Sequence, residues 1–393
     1  MNLDEIGKAL ARAEMDAWLL FDFHGINPIA RRVVGLGEGH LITRRWFGLI
    51  PVQGEPVWLH SAIEGHVFAG LPGKKVSYVG WRELEERLRE LLKGRRRIAM
   101  EYSPGGAIPY VSRVDGGTLE MVRACAPGVE VLSSADLVQF FEARWSPEAL
   151  ASHRRSARHL DEIVVRTFGE VARTVGGGRT PTEHEIQRFM MESFRERDLF
   201  CEPPIVAVNA NAGNPHYEPT ERHSAPIRNG DLLLLDLWCR EKGEEAVYAD
   251  ITWMGFVGKS VPGRYGDVWD AVAGARDAAI QYVLEGAKAG RPLRGCDVDD
   301  VSRAFIRDRG YDRFFIHRTG HNVGREVHGN GAHLDNLETR DERRLIPGTG
   351  FTIEPGVYLP EYGIRSEVNL YVSDRGAEVT TSVQDRITPL LAG

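Results

Sequence analysis

The amino-acid pattern specifies a mixed α/β protein (in the looser α+β sense) built as two domains. Residues 1–140 alternate short apolar runs with helical periodicity. From 146 onward, long capped helices alternate with two pairs of apolar, strand-like segments around 231–258 and 350–373. At 393 residues the chain is also longer than one hydrophobic core ordinarily serves.

In the first domain, DAWLLFDF (16–23), FGLIPVQGEPVWLHS (47–61) and RRIAMEYS (96–103) read as strands, the second turning back at Gln53-Gly54. WRELEERLRELLK (81–93) spaces its apolar residues for one helical face and charges the rest, so a surface helix is expected. GLGEG (35–39) lacks the full spacing and the acidic partner of a dinucleotide loop, and no nucleotide site is expected there.

Ser146-Pro147 opens a long helix, with serine as the cap and proline in the first turn. Its apolar stripe runs through Leu150, Leu160, Val164, Phe168, Val171 and Val175, and Gly176-Gly177-Gly178 ends it. Thr180-Pro181-Thr182-Glu183 reads as the capping box of the next helix. The boundary therefore falls near 142–147, giving domains 1–145 and 146–393, and further helices are expected over 264–286 and 297–309.

A net charge of -7 opposes a nucleic-acid partner, and GRRR (94–97) is too short to act as a phosphate-binding block. The opening segment, MNLDEIGKALARAEMDAW, lacks the apolar centre of a signal peptide. No stretch approaches the roughly 18 apolar residues that span a bilayer. Cys125, Cys201, Cys239 and Cys296 are scattered and fit free thiols in a reducing compartment, so a cytoplasmic location is expected.

The chemistry begins with two hairpins. In DLLLLDLWCREKGEEAVYADITWMGFVG the midpoint between Asp236 and Asp250 is Gly243, inside the turn, which sets the two carboxylates opposite each other. In FTIEPGVYLPEYGIRSEVNLYV the midpoint between Glu354 and Glu367 falls between Pro360 and Glu361, again inside a turn. Opposed like charges in an apolar sheet repel, and desolvation drives them toward the neutral form. Arg365 offers one positive charge against four carboxylates. Two divalent cations would balance them. Single acids at exposed strand ends are the ordinary alternative, but that does not account for two symmetric pairs beside a histidine cluster.

That cluster is HRTGHNVGREVH (317–328), three of 13 histidines around two glycines. His321 follows Gly320, where the backbone can approach a ligand closely. One imidazole added to carboxylates favours manganese, cobalt, iron or zinc over magnesium. Two such ions lower the pKa of a shared water and polarise a carbonyl. His328 is placed to bond the carbonyl oxygen or the leaving group, and His216 sits in a Gly/Pro/Asn loop where function or exposure is expected. His317 fits either a supporting role or a structural one. His333 stays open, and His40, His60, His66, His153, His159, His184 and His223 read as surface or packing residues.

With these residues, the chain resembles the pita-bread metallopeptidases: Xaa-Pro dipeptidase (prolidase), aminopeptidase P and, more distantly, methionine aminopeptidase. The family's ordered ligands Asp, Asp, His, Glu, Glu fall on Asp236, Asp250, His321, Glu354 and Glu367, within YADIT, TGHNVG, TIEPG and GIRSE. The resemblance implies that Asp236 binds one of two divalent ions, manganese foremost, and that His321 and Glu354 bind the other. Asp250 and Glu367 would bridge both. It implies substrate-side roles for His216, His317 and His328, and Arg365 matches the family's arginine. It implies a creatinase/prolidase-like α/β domain over 1–145, which helps form a homodimer and narrow the pocket. A pita-bread catalytic domain over 146–393 would follow, a pseudo-twofold curved antiparallel sheet flanked by helices.

Three departures stand out: a long spacing between the aspartates, GHNVG in place of GHGIG, and Trp253 where arginine is common. The last two are expected to alter the pocket rim. The implied activity is metal-dependent hydrolysis of the N-terminal Xaa-Pro bond of dipeptides or short peptides, with Glu354 moving the proton and His328 on the oxyanion. The same ions acting on a non-peptide amide, such as an ectoine-like cyclic amide, form a second reading. A non-catalytic binding protein on this fold is a third, disfavoured by the intact ligand set.

Overall fold

The computed structural model describes residues 2–37 and 39–391, in two compact units, Met1–Phe141 and Glu142–Gly393. Glu38 of GLGEG lies outside the described residues.

The first unit carries strands β1 (Ala17–Asp22), β2 (Trp46–Pro51), β3 (Val57–Ser61), β4 (Lys74–Tyr78), β5 (Arg97–Met100) and β6 (Glu130–Ser133). They form one mixed sheet in the order β4-β3-β2-β1-β5-β6. Its helices are α1 (Leu3–Arg12), α2 (Pro28–Val34), α4 (Trp81–Leu92) and α5 (Gly116–Cys125), with single turns α3 (Gly65–Phe68) and α6 (Ala135–Val138). Every residue of β1 and β2 is buried because helices cover both faces. Trp18, Leu20 and Trp46 pack with α1 and α2, while Leu19, Phe47 and Leu49 pack with α4 and α5. The β2–β3 turn uses Gly54 at φ 102°, a left-handed conformation that favours glycine.

Inside this unit Glu101 is fully buried. Its carboxylate accepts from Trp18 Nε1 at 2.5 Å, Asn27 Nδ2 at 2.7 Å and Ser134 Oγ at 3.1 Å. Burial outweighs those bonds and pushes the carboxyl up to about 7.

The second unit opens with α7 (Pro147–Gly176), capped by Ser146, whose hydroxyl accepts from the Ala149 amide at 3.1 Å. α8 (Glu183–Glu196) follows, and here the expected capping box moves by two residues. Thr182 is the cap: its hydroxyl accepts from the Glu185 amide at 3.2 Å, and the Glu185 carboxylate accepts from the Thr182 amide at 2.9 Å. Residues 181–182 are held extended by pairing with 226–227, so the helix cannot start earlier. Glu183 is left free for a different task.

α9 (Gly266–Lys288) and α10 (Gly295–Asp308) complete the helices. β7 (Ile205–Val208), β8 (Leu232–Cys239), β9 (Ala249–Phe256) and β16 (Thr388–Pro389) form a sheet ordered β16-β9-β8-β7. β10 (Asn322–Val323), β11 (Gly350–Ile353), β14 (Val368–Ser373) and β15 (Gly376–Val379) form another, and β12 (Gly356–Tyr358) pairs with β13 (Gly363–Arg365). The hairpin expected over 350–373 is thus two ladders with a break at 354–355 and 366–367. Pro355 has no N–H to continue the ladder.

The β8–β9 pair is covered on both faces. Leu233, Leu235, Leu237 and Ile251 pack against α7 and α8. On the other face Leu232, Leu234, Met254 and Phe256 pack against α9. Farther along that second face the apolar residues give way to Asp236, Asp250 and Thr252. Among the described residues no helix is long and apolar enough to cross a membrane. All four cysteines are free thiols.

Candidate metal centre

The register of β8 and β9 sets Trp238 opposite Asp250 and Asp236 opposite Thr252. The two aspartates are therefore diagonal neighbours rather than the directly opposed pair expected from the midpoint. The turn is asymmetric by two residues, yet even spacing keeps both carboxylates on one face. Glu354 and Glu367 sit in the break between ladders. One register holds on both sides of it, with Ile353 opposite Val368 and Gly356 opposite Arg365, and this sets Glu354 against Glu367.

Tertiary contacts join the two pairs. Asn369 of β14 accepts from the Asp250 amide at 2.9 Å and donates to the Asp250 carbonyl at 2.8 Å. Thr252 Oγ1 donates to Glu367 Oε2 at 2.8 Å, and Thr352 Oγ1 to Glu354 Oε1 at 3.0 Å. The Thr352 hydroxyl also accepts from the His321 amide at 2.9 Å. Gly320 makes this approach possible, since a Cβ there would lie 2.1 Å from the Thr352 carbonyl oxygen.

His321 Nε2 lies 3.3 Å from Glu354 Oε1 and 3.6 Å from Asp250 Oδ2. Its Nδ1 faces the Asn322 carbonyl at 3.3 Å, a pairing that places the proton on Nδ1 and turns the Nε2 lone pair to the acids. One ligand atom each from Asp250, His321 and Glu367 fall within 4.8 Å of one another. Asp236, Asp250, His321 and Glu367 are buried, and Glu354 is half-buried.

The electrostatics are those of uncompensated negative charge. Burial, then repulsion from neighbouring acids, pushes Asp250 and Glu367 well above the usual carboxylate range. Burial raises Asp236 despite its ion pair with Arg365, and raises Glu354 to about 7 against the pull of the same guanidinium. Burial, then His328 and Arg318, holds His321 far below its ordinary value. Asp250 Oδ1 and Glu367 Oε1 are buried with no hydrogen-bond partner. Two orphaned carboxylate oxygens, in acids whose ligand atoms lie within 4.8 Å of one another and of a His321 nitrogen, fit a divalent cation.

Of the other expected site residues, Arg365 is buried and fully engaged. It donates from Nε to Thr252 Oγ1 at 3.0 Å, from Nη1 to the Tyr358 hydroxyl at 2.9 Å and from Nη2 to Asp236. His317 Nε2 lies 2.6 Å from that Tyr358 hydroxyl and its Nδ1 2.7 Å from the Arg318 carbonyl, so both ring nitrogens are already used. Burial, then Arg365, holds His317 down at about 3. His328 is exposed, with its ring centroid 4.3 Å from that of His321. Loss of solvent around its ring, then Arg318 and His216, lowers it to about 4. His216 is exposed on a turn, and its charge acts on both Asp236 and His328.

The two substitutions expected to alter the rim are both packed into the fold. Trp253 is three residues from Asp250, hence on the opposite sheet face, packed into the α7–α8 cluster. Asn322 is buried, donating to the Gly350 carbonyl at 2.8 Å and accepting from the Gly331 amide at 2.9 Å. Sequence reasoning missed Tyr358 and Thr252. Strand alternation from Asp250 reveals Thr252; Tyr358 carries no local signal.

A buried acid–histidine donor set on paired antiparallel strands defines a metallohydrolase. The family model described as metallopeptidase family M24 matches residues 151–374, and the chain belongs to that family. The chain is similar to the Xaa-Pro dipeptidase of Pyrococcus furiosus, 24% identical over 315 residues covering 79% of this chain and 80% of the relative. It is 30% identical to an uncharacterized peptidase of Bacillus subtilis over 268 residues, 67% of this chain and 69% of that one. Among solved structures, dipeptidase PepE from Mycobacterium ulcerans superposes with a TM-score of 0.73 at 19% identity, covering 99% and 97% of the two chains. A dipeptidase from Pyrococcus horikoshii superposes with a TM-score of 0.65 at 24% identity, covering 99% and 100%. The fold is that of the prolidase and aminopeptidase P branch: a creatinase/prolidase-like α/β domain followed by a pita-bread domain.

Proposed function

We propose that this metallopeptidase hydrolyses the N-terminal Xaa-Pro bond of dipeptides or short peptides. Two divalent cations, manganese favoured, would be held by Asp236, Asp250, His321, Glu354 and Glu367. The convergence of Asp250, Glu354 and Glu367 on His321 carries the reading, with the Asp236 charge acting on Asp250 and Glu354 beside them. Similarity to Xaa-Pro dipeptidases supports the choice of bond. Ions bound there supply Lewis acidity and a water acidic enough to attack at neutral pH.

The chain's own groups do the rest. Glu354, half-buried at the edge of the cluster, takes the proton of the attacking water and passes it to the leaving nitrogen. His328, neutral and exposed beside His321, donates an N–H to the developing oxyanion. His216 faces the substrate from the opposite loop. His317 acts through Tyr358 to hold Arg365, and Arg365 orients Asp236. Residues 1–145 are read as the N-terminal domain and 146–393 as the catalytic one. A cytoplasmic location is read from the scattered free cysteines, and a homodimer from the family resemblance alone. Trp253 packs against the α7–α8 cluster and Asn322 bonds the Gly350 carbonyl, so neither gives support to a non-peptide substrate.

The test compares manganese-loaded and chelated protein on alanyl-proline and on a longer Xaa-Pro peptide. Chelation should remove more than about 99% of turnover and manganese should restore it. Full turnover by chelated, metal-free protein would overturn the proposal, and cleavage of cyclic amides alone would move it to the second substrate class.

A further inference from the structure

Glu183 is fully buried at the first turn of α8, yet it touches none of the metal-site residues. Its Oε1 accepts from the Val208 amide at 2.7 Å and from Asn211 Nδ2 at 3.0 Å. Its Oε2 accepts from the Tyr217 hydroxyl at 2.6 Å, the Ala225 amide at 2.7 Å and the same Asn211 nitrogen at 3.0 Å. Every donor belongs to one segment, 208–225, and that segment carries His216 next to Tyr217. Four donors converging on both oxygens suit a carboxylate alone, since glutamine would turn its own NH₂ against two of them. Charge-assisted bonds of this kind offset the cost of burying the group.

The segment is gripped from its other side by the β12–β13 hairpin. A Cβ on Gly363 would lie 1.8 Å from the Ala212 carbonyl oxygen, and one on Gly213 2.7 Å from the Leu359 carbonyl oxygen. The backbones are in direct contact, and this hairpin also carries Tyr358 and Arg365. His216 itself is exposed, so its place depends on these anchors.

We infer that Glu183 is a positioning residue for substrate engagement, acting through His216 by clamping residues 208–225 against the β12–β13 hairpin. The inference rests on the substrate-side role proposed for His216. In manganese-loaded protein, Glu183→Gln and Tyr217→Phe should each lower kcat/KM for alanyl-proline roughly 10-fold or more, the scale of a lost hydrogen bond to a charged group. In a His216→Ala background the same changes should have almost no further effect, because interacting sites are non-additive. Bound metal should be unchanged in all variants. An equal fold-loss in both backgrounds would overturn the inference, since a general structural defect adds independently. Should Glu183→Gln fail to fold, the half-buried Tyr217→Phe carries the cycle by itself. If wild-type protein cleaves neither alanyl-proline nor a longer Xaa-Pro peptide, the proposed substrate class fails. Amide exchange at Val208 and Ala225 then still decides the clamp: faster exchange in Glu183→Gln supports it, and unchanged protection sinks it.

Discussion

Asp250→Asn should act in opposite directions on the metal-free and the metal-loaded protein. Asp250 is buried beside Glu367, and the ligand atoms of that pair and His321 lie within 4.8 Å of one another. At that separation two unit charges repel by about 3.5 kcal/mol if the effective dielectric is about 20. Asp236 and Glu354 add to the repulsion felt by Asp250. The asparagine also gives the orphaned oxygens of the cluster an N–H donor. In chelator at alkaline pH, where the acids are ionised, the variant should therefore be more stable by about 2–3 kcal/mol, a rise in Tm of about 5–10 °C for a unit of this size. Manganese at a hundred times its Kd should stabilise the wild type by about 2.7 kcal/mol and the variant by much less. The two melting temperatures should converge or cross on adding metal. Turnover of alanyl-proline should fall more than about 100-fold, since removing a ligand costs more than disturbing its support. Thermal unfolding with and without chelator, together with calorimetric titration of manganese, measures all of this. A variant that melts below wild type in chelator, or binds manganese as tightly, would refute the account of these acids as a charge-frustrated metal site.

The buried Glu101 predicts a pH dependence belonging to the first unit. Its folded-state carboxyl is raised from the ordinary 4.5 to about 7, so the folded protein holds a proton that the unfolded chain has released. Its stabilising proton is fully in place below about 4.5, and stability is lost as pH rises through about 7, by about 3 kcal/mol in total. Urea unfolding of metal-loaded Glu101→Gln should show a flatter pH slope than wild type over that window, and an unchanged slope would discard the assignment. Trp253→Arg tests the face of β9: it should cost about 2–3 kcal/mol by breaking the α7–α8 cluster and leave kcat/KM unaltered. A changed substrate preference at unchanged stability would place Trp253 at the pocket after all.

Local features of this molecule were legible from the chain alone. The Ser146-Pro147 helix start, the β2–β3 turn at Gly54 and the apolar runs of β8 and β9 all follow from side-chain type and short-range periodicity. Asp236, Asp250, Glu354 and Glu367 stood out in the same way, as acids beside apolar runs, and His321 by its glycine neighbour in a histidine-rich stretch. The capping box was misplaced by two residues for a non-local reason, the pairing of 181–182 with 226–227.

Amino-acid order by itself determined which acids and imidazoles stand beside the apolar strands and which strands present them. Three-dimensional packing decided how they meet. It made the aspartates diagonal, turned Trp253 into the core, bound Arg365 between Tyr358 and Asp236, and tied Asp250 to Asn369 across 119 residues of chain. It also gave Glu183 its four donors. Strand register and buried hydrogen bonds depend on loop geometry and on partners distant in sequence, and neither is written in a local pattern of residues.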